Sequence, residues 1–95
     1  MNRIARPIEV EFLCNGTRHE GRIEDLSEGG MYIYTGLSWH LSTDIELQFE
    51  LPDGDSTPIQ GRGTIVWTDS MGFGVSLAGL DAIGRERLRR FIKLT

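Results

Sequence analysis

The chain has 95 residues, of which 39% are hydrophobic and 25% charged, and its formal net charge is −4 at pH 7. This length predicts one small domain over residues 1–95 with a thin core, and the acidic balance excludes the overall basic footprint of a protein that binds long nucleic acids. Cys14 is the single cysteine, so an internal disulfide is excluded. No run approaches the roughly 18 apolar residues of a membrane span, and no apolar stretch follows the N-terminal arginines as in a signal peptide. We therefore expect a cytoplasmic protein.

The first part of the chain has the two-residue alternation of half-buried strands. Apolar and acidic residues alternate over 8–12 and predict a first strand. Asn15-Gly16 follows and predicts a hairpin turn, because both residues tolerate positive φ. A second strand is then predicted over 17–24, with Gly21 and Ile23 on its inner face.

The next elements are a short strand and a long loop. Residues 31–35 resume the alternation and predict a third strand whose outer side carries Tyr32 and Tyr34. Residues 36–43 read as a loop, with Trp39 predicted to fold back over the core. The fourth strand, over residues 44–51, has the cleanest alternation in the chain.

Two more strands are predicted in the second half of the chain. The composition of residues 52–55 predicts a solvated turn without a bound metal ion. A longer strand follows over 59–68, with Ile65 and Trp67 pointing inward, and a last strand lies over 72–77. Gly61 and Gly63 indicate a bulge or a tight bend within the longer strand.

The pattern then changes to the period of an amphipathic helix over residues 81–93, with Asp81 as its N-cap. The apolar face of this helix is predicted to consist of Leu80, Ile83, Leu88, Phe91 and Ile92. The solvent face is predicted to carry Arg85, Arg87, Arg89 and Arg90. Six short strands followed by one helix predict an all-β fold, a six-stranded antiparallel β-barrel over residues 8–78 with a C-terminal α-helix packed at one end over 80–93.

Catalytic chemistry is not indicated by the residues present. His19 and His40 lie far apart and lack metal-ligand spacing, and Cys14 has no histidine near it in the sequence. Asp53 and Asp55 are too few ligands for a calcium loop. We therefore predict a protein that is not an enzyme and has no metal or cofactor.

Two short segments remain that point to a ligand. The first is Asn2-Arg3-Ile4-Ala5-Arg6-Pro7, within the segment 1–7 that precedes the predicted barrel, and the second is Asp25-Leu26-Ser27-Glu28-Gly29-Gly30. In this order, ahead of the predicted strands and helix, they resemble the two motifs of the PilZ domain family, which are RxxxR (often RRxxR) and DxSxxG or NxSxxG. The second motif matches at all of its fixed positions, whereas Asn2 stands where RxxxR has its outer arginine.

The resemblance implies a stand-alone receptor for the bacterial second messenger cyclic di-GMP. It places the ligand against Arg3, Arg6, Asp25, Ser27, Gly29 and Gly30. These residue types suit such a ligand, because an arginine can hold a phosphate or a guanine edge and can stack on a base. An ionised Asp25 can accept hydrogen bonds from guanine, the Ser27 hydroxyl can add a polar contact, and the glycines permit a close approach.

The implied partners are cyclic di-GMP and an effector protein, with motility, pili, exopolysaccharide, biofilm formation or virulence as the downstream processes. An alternative keeps the PilZ fold but omits the ligand, so that the chain acts only through protein contacts; the asparagine at position 2 favours this reading. An oligonucleotide-binding barrel would need exposed aromatic residues in a basic groove. The acidic strands, with glutamates at positions 9, 11, 46 and 50, argue against that class.

Overall fold

Strands and one helix account for most of the chain in the computed structural model, which describes the backbone of residues 2–94 and the side chains of residues 4–93. The elements are β1 (Asn2–Cys14), β2 (Thr17–Leu26), β3 (Gly30–Tyr34), β4 (Asp44–Phe49), β5 (Ile59–Thr68), β6 (Gly72–Leu77) and α1 (Ala82–Leu94). All neighbouring strands are antiparallel, and they close into a barrel in the order β1-β2-β3-β6-β5-β4. The predicted fold class is confirmed.

The barrel interior is filled by the inward-facing residues of the alternating strands. β4 shows the pattern most clearly, because Ile45, Leu47 and Phe49 are buried and the residues between them are exposed. Trp39 packs from the β3–β4 loop against Phe12 and Phe73, with ring centroids 5.3 and 5.5 Å apart. The predicted fold of this loop over the core is therefore confirmed.

β1 begins earlier than the alternation of residues 8–12 indicates. The strand starts at Asn2, so the arginine-bearing segment that the sequence places before the barrel is part of β1. The β1–β2 ladder pairs Asn2 with Leu26 and Arg3 with Asp25, and then shifts register between Arg3 and Ile8. Backbone pairing with β2 extends β1 to its start at Asn2. Because such pairing does not require alternating polar and apolar side chains, the sequence pattern did not indicate this extension.

β5 departs from the predicted orientation of its second tryptophan. A register shift between Ile65 and Trp67 turns Trp67 outward, where it is 42% exposed, although its two-residue spacing from Ile65 predicts an inward position. The bulge predicted at the glycines of β5 is misplaced, because the β4–β5 ladder is continuous there. Gly63 instead permits close packing, since a Cβ atom would lie 2.4 Å from Val75 Cγ1.

Helix α1 covers the barrel end at which the β2–β3 turn and the β4–β5 loop lie. Asp81 caps it as predicted, with Oδ1 accepting a hydrogen bond from the Gly84 N–H at 2.6 Å. Leu88 is fully buried, and Phe91 and Ile92 pack against the core. Ile83 was wrongly predicted on this face, because it is 75% exposed while Gly84, one position further along, faces the barrel.

Two arginines connect α1 to the loops of this end. Arg87 is only 9% exposed, and its guanidinium donates to the Thr57 carbonyl at 2.7 Å and to Asp53 Oδ1 at 3.2 Å. Arg89 donates from Nε to Glu28 Oε1 at 3.2 Å. The predicted solvent position is therefore wrong for Arg87, and the turn predicted to be merely solvated is held by a buried cation.

Candidate ligand-binding site

The β2–β3 turn is closed by its own hydrogen bonds. The Ser27 N–H and hydroxyl both donate to the Gly30 carbonyl, at 2.9 and 3.2 Å. The Leu77 N–H donates to the Gly29 carbonyl at 2.8 Å and joins the turn to β6. Ser27 is half-buried and has an evident role in the turn, so its predicted contact with a ligand would be additional to this structural one.

The two glycines of the turn have different surroundings. Gly29 is exposed, and a Cβ atom there would meet nothing within 4 Å, so a ligand can approach this backbone. Gly30 is buried, and a Cβ atom would lie 2.6 Å from the Val75 carbonyl oxygen. Gly30 is thus required by the close approach of β3 to β6, and positive φ is not involved.

Asp25 lies near the end of β2 on the outer face of the barrel. Its β1 partner is Arg3 and its β3 partner is Tyr32. Leu26, the next residue, is fully buried, which fixes Asp25 on the opposite face. Among the side chains of residues 4–93, none forms a hydrogen bond or an ion pair with the Asp25 carboxylate. The half-buried Asp25 carboxylate thus lies on the outer face without a partner among those side chains.

Tyr32 and Trp67 form an aromatic stack beside Asp25. Their ring centroids are 5.3 Å apart and their planes differ by 14°. The indole lies over Gly74, where a Cβ atom would be 2.1 Å from Trp67 Nε1. Tyr32 lies on the outer side of β3 as predicted, and the indole of Trp67 covers it there and leaves it buried. The structure therefore presents a flat, half-exposed aromatic surface held in one orientation.

The Tyr32 hydroxyl anchors this stack. It donates to Asp69 Oδ1 and Oδ2 at 3.0 and 3.1 Å. Burial, followed by the hydrogen bond to Asp69 and the charge of that carboxylate, raises the pKa of Tyr32 to about 12. Hydrogen bonds from the Met71 and Gly72 N–H groups and from Tyr32 lower the pKa of Asp69, so the pair is a neutral phenol on an ionised carboxylate at neutral pH.

The ladder registers place the backbones of five residues in one row across neighbouring strands. Arg3 pairs with Asp25, Asp25 with Tyr32, Tyr32 with Gly74, and Gly74 with Trp67. The described outward side chains of this row are the stacked aromatic pair and the Asp25 carboxylate, which are groups that can stack on a base and accept hydrogen bonds. Sequence reasoning did not assign Trp67 or Tyr32 to the site. The outward orientation of Trp67 results from the β-bulge that precedes it, and the side-chain pattern does not reveal that bulge.

Arg6 lies in the irregular part of β1, between the two segments that pair with β2. Its side chain is exposed and lines a groove of about 570 Å³ with Pro7, Leu51 and Pro52. Among the side chains described, no carboxylate forms an ion pair with Arg6. The structure therefore does not join Arg6 directly to Asp25. The Arg3 side chain lies outside the described residues, although its backbone position is defined.

The described residues offer little for other kinds of chemistry. Within them, no group of three or more histidine, cysteine, aspartate or glutamate side chains could hold a metal ion. None of the helical residues described forms a helix long and apolar enough to cross a membrane. The described groups can accept hydrogen bonds at Asp25, stack on a base at Trp67 and supply the exposed guanidinium of Arg6.

The model of the PilZ domain family matches residues 2–94. The chain belongs to the PilZ domain family. PilZ domains are cyclic di-GMP-binding adaptor domains and not enzymes. No curated protein sequence matches this chain significantly.

A solved structure agrees with the fold of this PilZ domain. The structure of Bacillus subtilis Inhibitor of motility (MotI/DgrA) superposes with a TM-score of 0.83 at 14% sequence identity. The match covers 98% of this chain and 49% of the other, so this chain spans about half the length of that protein.

Proposed function

We propose that this PilZ domain binds cyclic di-GMP on the outer face of its barrel and transmits the signal to an effector protein by direct contact. The observation that carries the proposal is the strand register, which pairs Arg3 of the first motif with Asp25 of the second. The two motifs are far apart in the sequence, and the β1–β2 ladder makes them neighbours. Membership of the PilZ family, whose domains bind cyclic di-GMP, supports this choice of ligand.

The proposed contacts follow the chemistry of the row. Asp25 accepts hydrogen bonds from the N1–H and amino group of one guanine, and Trp67 stacks on a base. Arg6 moves out of its groove to hold a phosphate or the O6 and N7 edge of guanine. Arg3 contributes a second guanidinium from the paired part of β1. Because Arg6 has no ion-pair partner among residues 4–93, this movement breaks no described ion pair.

Calorimetric titration of the purified protein with cyclic di-GMP tests the proposal, with GTP and linear pGpG as control ligands. We expect Arg6→Ala to weaken binding about 10- to 100-fold, because it removes a charge-assisted contact. Arg18→Ala is the matched control, since Arg18 is an exposed arginine at the other end of the same hairpin and pairs with Glu11. Equal affinities in the two variants would remove Arg6 from the site.

Variants at Asp25 and Ser27 distinguish a role in ligand binding from a role in closing the β2–β3 turn. Asp25→Ala should weaken binding with little loss of stability, because its carboxylate has no described partner. Ser27→Ala should lower stability, because its hydroxyl bonds the Gly30 carbonyl, and should weaken binding less than Asp25→Ala. Normal binding by both variants would assign the motif to turn formation alone.

A second candidate function is favoured by the asparagine at position 2. In this case the PilZ domain acts only through protein contacts and does not bind the nucleotide. Asn2→Arg distinguishes the two candidates, because it restores the outer arginine and should tighten binding by up to about 10-fold. The absence of binding in both the native protein and this variant, with circular dichroism showing both folded, would favour the ligand-free adaptor.

Motility is the downstream process to test first, because the structure with the same fold is described as an inhibitor of motility. Expression of this chain in a flagellated bacterium with high cyclic di-GMP should reduce swimming-ring diameter, and Arg6→Ala should relieve the effect. An equal reduction by both proteins would separate any motility effect from nucleotide binding. Measuring surface attachment in the same strains tests biofilm formation as an alternative downstream process.

A further inference from the structure

Helix α1 contributes an arginine to the turn that carries the second motif. Arg89 Nε donates to Glu28 Oε1 at 3.2 Å, and Glu28 lies between Ser27 and Gly29. We propose that Arg89 is a further ligand-binding residue of the cyclic di-GMP site, which supplies to the phosphates a guanidinium that the first motif lacks at Asn2. This inference rests on the proposed function and extends it from the two motifs to the helix.

The guanidinium is placed and exposed in a way that suits this role. The side chains of Arg89 and Glu28 are 41% and 51% exposed, so the pair lies at the surface and not inside the core. Nη1 donates to Glu86 Oε2 at 3.2 Å, and Nη2 has no hydrogen-bond partner among the described residues. Nη2 can therefore make the first contact with an incoming phosphate while Nε and Nη1 still bond the two glutamates.

The turn that Arg89 reaches is fixed in position. Ser27 and Leu77 bond the carbonyls of Gly30 and Gly29, so the turn is tied both to itself and to β6. A Cβ atom at Gly29 would meet nothing within 4 Å, which leaves open space above the turn. A phosphate over Gly29 would approach Glu28 and Arg89 together.

The Glu28 carboxylate and a phosphate of the ligand are both negatively charged, so they compete for the Arg89 guanidinium. Glu28 adds a negative charge where a ligand with two phosphates is to be bound, and Arg89 offsets that charge. When a phosphate replaces the Glu28 carboxylate as the partner of Arg89, one ion pair is exchanged for another. The Glu28–Arg89 pair would thus hold the guanidinium in place before the ligand arrives.

The two partners should therefore have opposite effects on binding. We expect Arg89→Gln to weaken binding of cyclic di-GMP about 10-fold, because a charge-assisted contact is lost. Glu28→Gln should tighten binding about 3-fold, because it removes a like charge and frees Arg89. If the pair only fixes the helix to the turn, breaking it from either side should weaken binding in the same direction.

Titration calorimetry with cyclic di-GMP on the native protein, Arg89→Gln and Glu28→Gln decides the question. Arg90→Gln is the matched control, because Arg90 is the next residue on the same helix and pairs only with Glu86, at 3.8 Å, within the described residues. Arg89→Lys keeps the charge and the fold and should bind with intermediate affinity. Opposite signs for Arg89→Gln and Glu28→Gln support the inference, and effects of equal sign or native affinity in Arg89→Gln overturn it. Failure of the native protein to bind overturns the proposed function itself, so the two failures are distinct.

Discussion

Arg87 and Arg89 lie two positions apart on one helix, but they connect it to different loops and in different surroundings. Arg87 reaches the β4–β5 loop from a buried position and bonds the carbonyls of Asp55 and Thr57 as well as the Asp53 carboxylate. Arg89 reaches the β2–β3 turn from the surface, and its hydrogen bonds within the described residues are to carboxylates. The difference in burial thus gives the two arginines different roles. Arg87 stabilises the domain, whereas Arg89 remains available to a ligand.

The largest expected effect comes from removing the buried member. Arg87→Ala leaves two loop carbonyls and a partly buried carboxylate without their partner, so we expect the free energy of unfolding to fall by about 3 kcal/mol. Urea unfolding followed by circular dichroism measures this loss. Arg90→Ala serves as the control and should change stability by less than about 0.5 kcal/mol. A similar small change in Arg87→Ala would contradict the comparison.

Acid should remove part of the stabilisation by Arg87. Burial disfavours the ionised form of Asp53, but the hydrogen bond from the Asp55 N–H, together with the bond and charge of Arg87, outweighs it and lowers the pKa. A lowered folded-state pKa gives stability that is present above the unfolded-state value of about 4 and is lost as the pH falls through the folded-state value.

The native protein should therefore lose more stability than Arg87→Ala between pH 5 and pH 2. Urea midpoints measured across this range should converge for the two proteins as Asp53 becomes protonated. Asp53→Asn removes the more buried of the two carboxylates that pair with Arg87, the other being Asp55, and should reduce the dependence. A constant difference between the native protein and Arg87→Ala would show that the carbonyl bonds alone account for the role of Arg87.

A smaller effect is expected at the exposed pair. Arg89→Gln should lower the free energy of unfolding by no more than about 0.5–1 kcal/mol, although it weakens ligand binding. The same urea titration gives this value. A loss as large as that of Arg87→Ala would mean that Arg89 is mainly structural.

The smallest expected effect is that of salt. Raising NaCl from 0.1 to 1 M shortens the screening length from about 10 to about 3 Å, which weakens the exposed Arg89–Glu28 pair more than the buried contacts of Arg87. The stability difference between the native protein and Arg89→Gln should therefore shrink, whereas that for Arg87→Ala should persist. Parallel urea titrations at both salt concentrations test this, and a loss of both differences would contradict it.

Side-chain periodicity predicted the fold because the barrel has one buried and one exposed face. The alternation in β4 and the Asn15-Gly16 turn between β1 and β2 are direct consequences, and both are observed. The prediction failed where the period is broken by the backbone. The register shift after Ile65 reverses the direction of Trp67, and no feature of the side chains records it.

The candidate site was predictable only as far as its motifs. The resemblance to the PilZ family assigned Asp25 and Gly29 to a ligand site, and that role stays a prediction. The register that pairs Arg3 with Asp25 could not be read from side-chain composition. The aromatic stack and the contact of Arg89 with Glu28 join residues 35 and 61 positions apart in the chain. Such tertiary contacts depend on the closure of the barrel and have no local signal.

The incomplete pairing of β1 has a consequence for solubility. In the described ladders β1 pairs with β4 only from Val10 to Cys14, so the earlier part of the strand has no strand partner on that side and instead borders the groove that Leu51 and Pro52 line. Open strand edges are templates for aggregation, and proteins protect them with proline, charge and irregular backbone. Pro7 and Arg6 lie in the irregular stretch of β1 and provide all three. We therefore expect the same features to disfavour the addition of a strand from another chain at this edge.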